Sequence, residues 1–251
     1  MRYRIGIIAG AVLAGAVLSA GSIAQPAGPA TRPARHAATA GPPVVVELFT
    51  AQGCGACVEA NAVVERAAAA EPGVIALTYG VDYWDYLGWT DTFAKPAFSQ
   101  RQRAYRAALR QRGVSTPQVV IDGRRQLSGA RGPELKAAIV QEAGRQVWPP
   151  EIEFRESGDR VGVGSGRLPA GGAEVLAVTY KPGAQVVEVS RGENRGQAVR
   201  HVNVVRDIVS LGEWRGRPSL FDLPERQEGE AVVVLVQAKA DRRILGAAVR
   251  E

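Results

Sequence analysis

Apolar and polar positions fall into two regimes along this chain. VVVELF (44–49) is a continuous apolar, β-branched run broken by one acid, and VIALTY (74–79) is a second run of the same kind. Runs of that length without alternation predict strands buried on both faces. Between them, residues 55–70 are rich in alanine, place Val63, Val64 and Ala67 at helical spacing, and stop at Pro72-Gly73. A second helix is expected over 97–112. PQVVID (117–122) and RRQLSG (124–129) meet at Asp122-Gly123 and predict a hairpin. Residues 133–147 predict a last helix with Pro133 in its first turn. The predicted order is β-α-β-α-β-β-α.

From Glu151 the period changes to two, with glycine-rich turns. IEFRES, RVGVGSG, EVLAVTY, QVVEVS, VRHVNVV, AVVVLVQA and RILGAAV read as about seven short strands, the pattern of a β-sandwich. A boundary is placed near Trp148-Pro149-Pro150, so residues 44–148 form one domain and residues 149–251 a smaller, β-rich one. That second half holds no convincing catalytic set, and it reads as a docking module or a cover for the first. RGENRG within it has no helix after it, so it reads as a tight turn rather than a phosphate loop.

The first 43 residues are of another kind. Arg2 and Arg4 precede an apolar run, Ile5 to Leu18, and Ser22-Ile23-Ala24 offers a small-x-small exit. Residues 1–24 are therefore expected to be a secretory signal peptide. The apolar run is shorter than the roughly 20 residues that cross a bilayer, so an uncleaved anchor is the second reading. Residues 25–43 contain five prolines and little that is large and apolar, and predict a flexible tether. The expected location is periplasmic or extracellular, with membrane contact only if the signal stays on.

Charge changes little. The formal net charge is +6, and +4 without Arg2 and Arg4. Arg101, Arg103, Arg106, Arg110 and Arg112 crowd one predicted helix and read as a solvated face. No nucleic-acid partner is expected.

The chain has two cysteines, Cys54 and Cys57. Zinc wants four ligands, and the histidines are His36, in the tether, and the distant His201, so no metal site is expected. A disulfide closing so small a loop constrains the unfolded chain very little, which argues against a staple. A redox-active pair remains, needing no cofactor beyond its own disulfide; a copper(I) carrier using both thiolates is the alternative. At a helix start, unpaired N–H groups and the dipole favour a thiolate. Cys54 is thus expected exposed there as nucleophile, with Cys57 one turn in as the resolving thiol. Eight of the 15 aromatic residues lie between Tyr79 and Tyr105. An insertion at 80–96 carries most of them and reads as a satellite core, with Trp84 the ring turned to the site.

This order, with CxxC opening the first helix, resembles the thioredoxin fold. Ser115-Thr116-Pro117 before the third strand strengthens the likeness, which implies a cis peptide at Pro117 opposite the cysteines. It also implies an acid under the pair that moves a proton to the inner cysteine. Glu47 is the candidate for that role, with a surface-facing glutamate as the other reading. Thr116 joins Trp84 as an expected substrate contact. VELFTxQGCxxC, VDYWDYLGW followed by FAKPAFSQRQRAY, TPQVVIDG, RGENRG, HVNVVRDIVSLGEW and ILGAA are similar to a family of secreted, thioredoxin-like bacterial proteins of unknown function. The chain departs from that pattern at Val58, where proline is usual, at Asn61, where an acid is common, and at Gly80, where a histidine is usual. The implied function is an exported thiol–disulfide oxidoreductase acting on protein or small-molecule disulfides, with an unknown recycling partner. A non-catalytic thioredoxin-like binding protein or copper(I) carrier is the alternative.

Overall fold

The structure, a computed structural model, describes residues 42–71, 73–128, 131–145 and 149–251. The expected signal peptide and all but the last two residues of the tether lie outside these. The described residues belong to one compact unit.

Strand β1 (Val44–Thr50) pairs in parallel with β2 (Val74–Gly80), from Val44↔Val74 to Thr50↔Gly80. On its other side β1 pairs antiparallel with β3 (Gln118–Ile121), which turns into β4 (Arg125–Ser128). Helices α1 (Cys57–Ala70), α2 (Pro96–Ala108) and α3 (Gly132–Ala143) fill the intervals in the expected order. Strand alternation sends Val44, Val46 and Leu48 to one face, against Val63 and Val64 of α1 and Leu135 and Ile139 of α3. Val45 and Phe49 go to the other face, against Phe98 and Tyr105 of α2. Helices thus cover β1 on both sides, which is why its sequence is apolar at successive positions. Each such side chain contributes roughly 1.5–3 kcal/mol by leaving water.

The acid in that run, Glu47, is neither on the surface nor free. Arg101 Nε donates to Glu47 Oε1 at 2.7 Å and its Nη2 to Oε2 at 3.2 Å. Tyr105 donates its hydroxyl to Oε2 as well. Arg101 Nη1 continues to Gln237 Oε1 at 3.1 Å. Burial alone works against the Arg101 charge, but the Glu47 carboxylate beside it holds that charge in place. Arg101 is therefore not part of a solvated basic face. It points inward, while Arg103, Arg106, Arg110 and Arg112 are exposed.

The rest of the chain departs from the expected separate sandwich. It forms β5 (Ile152–Phe154), β6 (Arg160–Val163), β7 (Ala173–Val189), β8 (Gln197–Trp214), β9 (Ser219–Asp222), β10 (Ala231–Ala238) and β11 (Ile244–Arg250). Four of these extend the first sheet into one of eight strands, ordered β11-β10-β7-β8-β2-β1-β3-β4. The join is parallel, at Thr78↔Val204. Two side chains reinforce it: Thr78 donates to the Val202 carbonyl at 2.6 Å, and Asn203 Nδ2 donates to the Ala76 carbonyl at 3.0 Å. The remaining strands make a small sheet, β5-β6-β9. Its Val161 and Val163 pack with Trp214 on Val175, Ala177, Val232 and Val234 of the large sheet. The fold is thus mixed α/β, with a large mixed sheet and a second small one. EVLAVTY and QVVEVS, expected as two strands, are one. β7 runs through Pro182-Gly183 by skipping register between Lys181 and Ala184, an irregularity that tolerates the N–H missing from proline.

Candidate functional site

The carboxyl ends of β1 and β2 carry the loops that hold the cysteines and the aromatic insertion, where ligand sites of α/β sheets concentrate. The chain leaves β1 at Thr50 and reaches Cys54 through Ala51-Gln52-Gly53. It leaves β2 at Gly80 into a 3-10 turn, Asp82–Leu87. The last β1–β3 pair, Phe49↔Gln118, sets the preceding Pro117 level with Thr50. The Thr116–Pro117 peptide is cis.

Cys54 and Cys57 form a disulfide with Cα atoms 5.4 Å apart. Cys57 is the first residue of α1, and its N–H donates to the Cys54 carbonyl at 3.1 Å. Both sulfurs sit in a cluster with Phe49, Tyr79, Phe98 and Tyr105, and Trp84 packs against it. Trp84 Nε1 donates to Thr116 Oγ1 at 2.6 Å, so the two expected substrate contacts touch each other. On α2, Gln102 Nε2 donates to the Ser115 carbonyl and to Gln118 Oε1, both at 2.9 Å, which braces the segment around Pro117. Glu47 faces the α2 side of β1, with its carboxylate held by Arg101 and Tyr105 as described.

The expectation of an exposed Cys54 fails. Cys54 is 1% accessible and Cys57 0%. The cover is the turn between β7 and β8, the segment RGENRG. Asn194 Nδ2 donates to the carbonyls of Gln52 at 2.8 Å and Cys54 at 2.9 Å. The Glu193 N–H donates to the Gly53 carbonyl at 3.2 Å. In return the Gly55 N–H donates to Glu193 Oε2 at 2.8 Å. Gly192 allows this approach: its φ is +79°, and a Cβ there would lie 3.2 Å from the Gly53 Cα.

Gln52 and Asp91 also escaped sequence reading. The Gln52 N–H donates to Asp91 Oδ2 at 2.6 Å, its Nε2 to Thr92 Oγ1 at 2.8 Å, and its Oε1 accepts from Trp89 Nε1 at 2.8 Å. Through this one buried side chain the cysteine loop is tied to the aromatic insertion. The insertion closes back on β2 at Gly80, where a Cβ would meet the Phe93 carbonyl carbon at 2.8 Å. Phe93 in turn packs edge-on against His201, with ring centroids 5.3 Å apart.

Two buried groups here titrate in opposite senses. Burial pushes the Asp91 carboxyl up to about 6, from an ordinary 3.8. Burial pushes His201 down to about 4, from an ordinary 6.5. Folded Asp91 holds its proton more tightly than the unfolded chain does, so its contribution to stability is lost as pH rises from about 4 to 6. Folded His201 resists protonation, so its contribution is lost as pH falls from 6.5 to 4. Each shift corresponds to roughly 3 kcal/mol, and over that window they nearly cancel. Relative to wild type, His201→Gln should lose stability as pH rises from 4 to 6, and Asp91→Asn should lose it as pH falls over the same range. Urea midpoints at pH 4, 5, 6 and 7 check this, and parallel profiles for all three proteins would contradict it.

Among the described residues, no group of three or more His, Cys, Asp or Glu side chains is placed to hold a metal ion. Fold and site together define a mixed α/β protein with a disulfide at the start of its first helix. The chain belongs to the family described as "Protein of unknown function (DUF1223)", which matches residues 45–237. It is similar to the crystal structure of a protein from Agrobacterium tumefaciens, at 29% identity and TM-score 0.65, over 82% of this chain and 92% of that one. HBP35 of Porphyromonas gingivalis shares the fold at 15% identity and TM-score 0.59, over 84% of this chain and 75% of that one. No curated protein matches the chain.

Proposed function

We propose that this chain is an exported thiol–disulfide oxidoreductase of thioredoxin-like type. The observation that carries the reading is the Cys54–Cys57 disulfide at the start of α1. The element order of residues 44–143 supports it. So does the placement of Trp84 against the cysteine cluster and on Thr116. Residues 44–148 carry the chemistry in this reading, and residues 149–251 cover it. Export rests on the leader-like residues 1–24.

In the reaction, the Cys54 thiolate attacks a substrate disulfide, forming one S–S bond and releasing the substrate's other sulfur as a thiolate. Cys57 then loses its proton and displaces the substrate from Cys54. The substrate leaves carrying two electrons, and the Cys54–Cys57 disulfide remains for a dithiol partner to reduce. The reverse sequence oxidises a substrate dithiol. Glu47 has a structural part here, since Arg101 and Tyr105 occupy its carboxylate.

The second reading, a copper(I) carrier, is favoured by the pairing of two sulfurs, which soft copper(I) prefers as thiolates. The separating experiment sets copper content of the reduced chain beside the reduction potential of the pair. One copper per chain with no exchangeable disulfide would favour the carrier.

A further inference from the structure

The turn that buries Cys54 brings a negative charge to the backbone next to it. A backbone N–H without a carbonyl partner attracts anions, and Gly55 lies next to Cys54, two residues before α1 begins at Cys57. Here the Gly55 N–H is taken by Glu193 Oε2 at 2.8 Å. The same turn is pinned by Asn194, which is buried and spans the carbonyls on either side of Gly53. A Cβ at Gly55 would lie 3.1 Å from Glu193 Oε2 and would press on the carboxylate.

We propose that residues 191–196 are a lid on the cysteine pair whose latch, Glu193, holds it closed over the disulfide and is expelled when Cys54 becomes a thiolate. This deepens the oxidoreductase reading and rests on it. The physical cause is competition. In the disulfide both sulfurs are neutral, and the Glu193 carboxylate keeps the Gly55 N–H to itself. On reduction, a reductant thiolate forms a bond to Cys54 and Cys57 departs as the anion. The reductant's second thiol then displaces Cys54, taking the reductant to its disulfide and delivering two electrons to the pair. Cys54 is left as a thiolate next to the residue whose N–H holds the carboxylate. Like charges repel, so the lid opens in the reduced form, where a substrate disulfide needs access. It closes once the pair is oxidised again. Because the latch favours the neutral disulfide over the thiolate, it also makes the pair harder to reduce. Glu193 is thus a positioning and tuning residue that touches no reacting atom.

The test uses the full chain, with Glu193→Gln and Asn194→Ala as variants. Glu193 is on the surface, so its replacement leaves folding intact even if loss of Asn194 does not. Reduction of the Cys54–Cys57 disulfide by dithiothreitol should level off with reductant concentration in wild type, where opening limits the rate. It should run about tenfold faster in both variants. Alkylation of Cys54 in the reduced protein at pH 6 should rise about threefold in Glu193→Gln, because a like charge has been removed. That gain should shrink at 1 M salt, where screening acts over about 3 Å. A merely structural turn would not move the pH profile of Cys54. Reduction rates and alkylation profiles that both variants leave unchanged would overturn the lid. These readouts need no turnover of any substrate, so they separate failure of the lid from failure of the oxidoreductase reading.

Discussion

Replacing Cys57 with serine is expected to leave exported proteins covalently attached to Cys54, whereas Cys54→Ser should accumulate almost none. Both cysteines are buried, but the 191–196 turn is bonded to the backbone of residues 52–55 and not to Cys57, which opens α1. Cys54 stands on the lid side, where movement of one turn exposes it. A well-oriented intramolecular group acts at an effective concentration of about 10⁵ M or more, so losing Cys57 slows release of the adduct by several orders of magnitude. Diagonal non-reducing gels of cells expressing each variant read the difference directly. A copper carrier predicts another outcome, in which either substitution abolishes metal binding and neither traps a partner.

Arg101→Met is expected to be the most destabilising single change in the interior. It leaves the Glu47 carboxylate, wholly buried, with no cation beside it. Removing one partner of a buried ion pair costs about 3–5 kcal/mol. For a chain of this size that lowers Tm by roughly 10 °C. The double replacement Glu47→Leu, Arg101→Leu should recover most of the loss, because an apolar pair leaves no orphaned charge. Thermal or urea unfolding of the three proteins checks the order. Glu47→Gln should lower stability while the pH profile of thiol–disulfide exchange stays where it is. A shifted profile would return Glu47 to the role of proton carrier.

Where a strand is buried on both faces, its sequence says so, and β1 and β2 could be read directly. The Cys54–Cys57 pair was legible for a similar reason, since a helix start follows it at once. Arg101 was misread because five arginines along one stretch resemble a solvated face. The helical period tells them apart: Phe98, Arg101, Gln102 and Tyr105 recur at i, i+3, i+4 and i+7, and all four are buried. The lone acid of VVVELF was the matching signal, for a buried carboxylate demands a cation. Pro182-Gly183 looked like a strand break, yet pairing with β8 on either side carried β7 through it. The burial of Cys54 had no local signal at all. Its cover comes from Glu193 and Asn194, and the Gly55–Glu193 contact joins residues 138 apart in sequence. Gln52 and Asp91 were silent because a polar residue in a loop looks the same whether it faces water or organises a site.

The reduction potential of the Cys54–Cys57 couple in the full chain, measured against a glutathione or dithiothreitol redox buffer, tests the proposed function most directly. Working thiol–disulfide pairs lie between about −120 and −270 mV, whereas structural disulfides of secreted proteins lie below about −300 mV. A value inside the first range is the predicted result. A value below about −300 mV, with no exchange on the timescale of a redox titration, would make the disulfide a staple and contradict the proposed function.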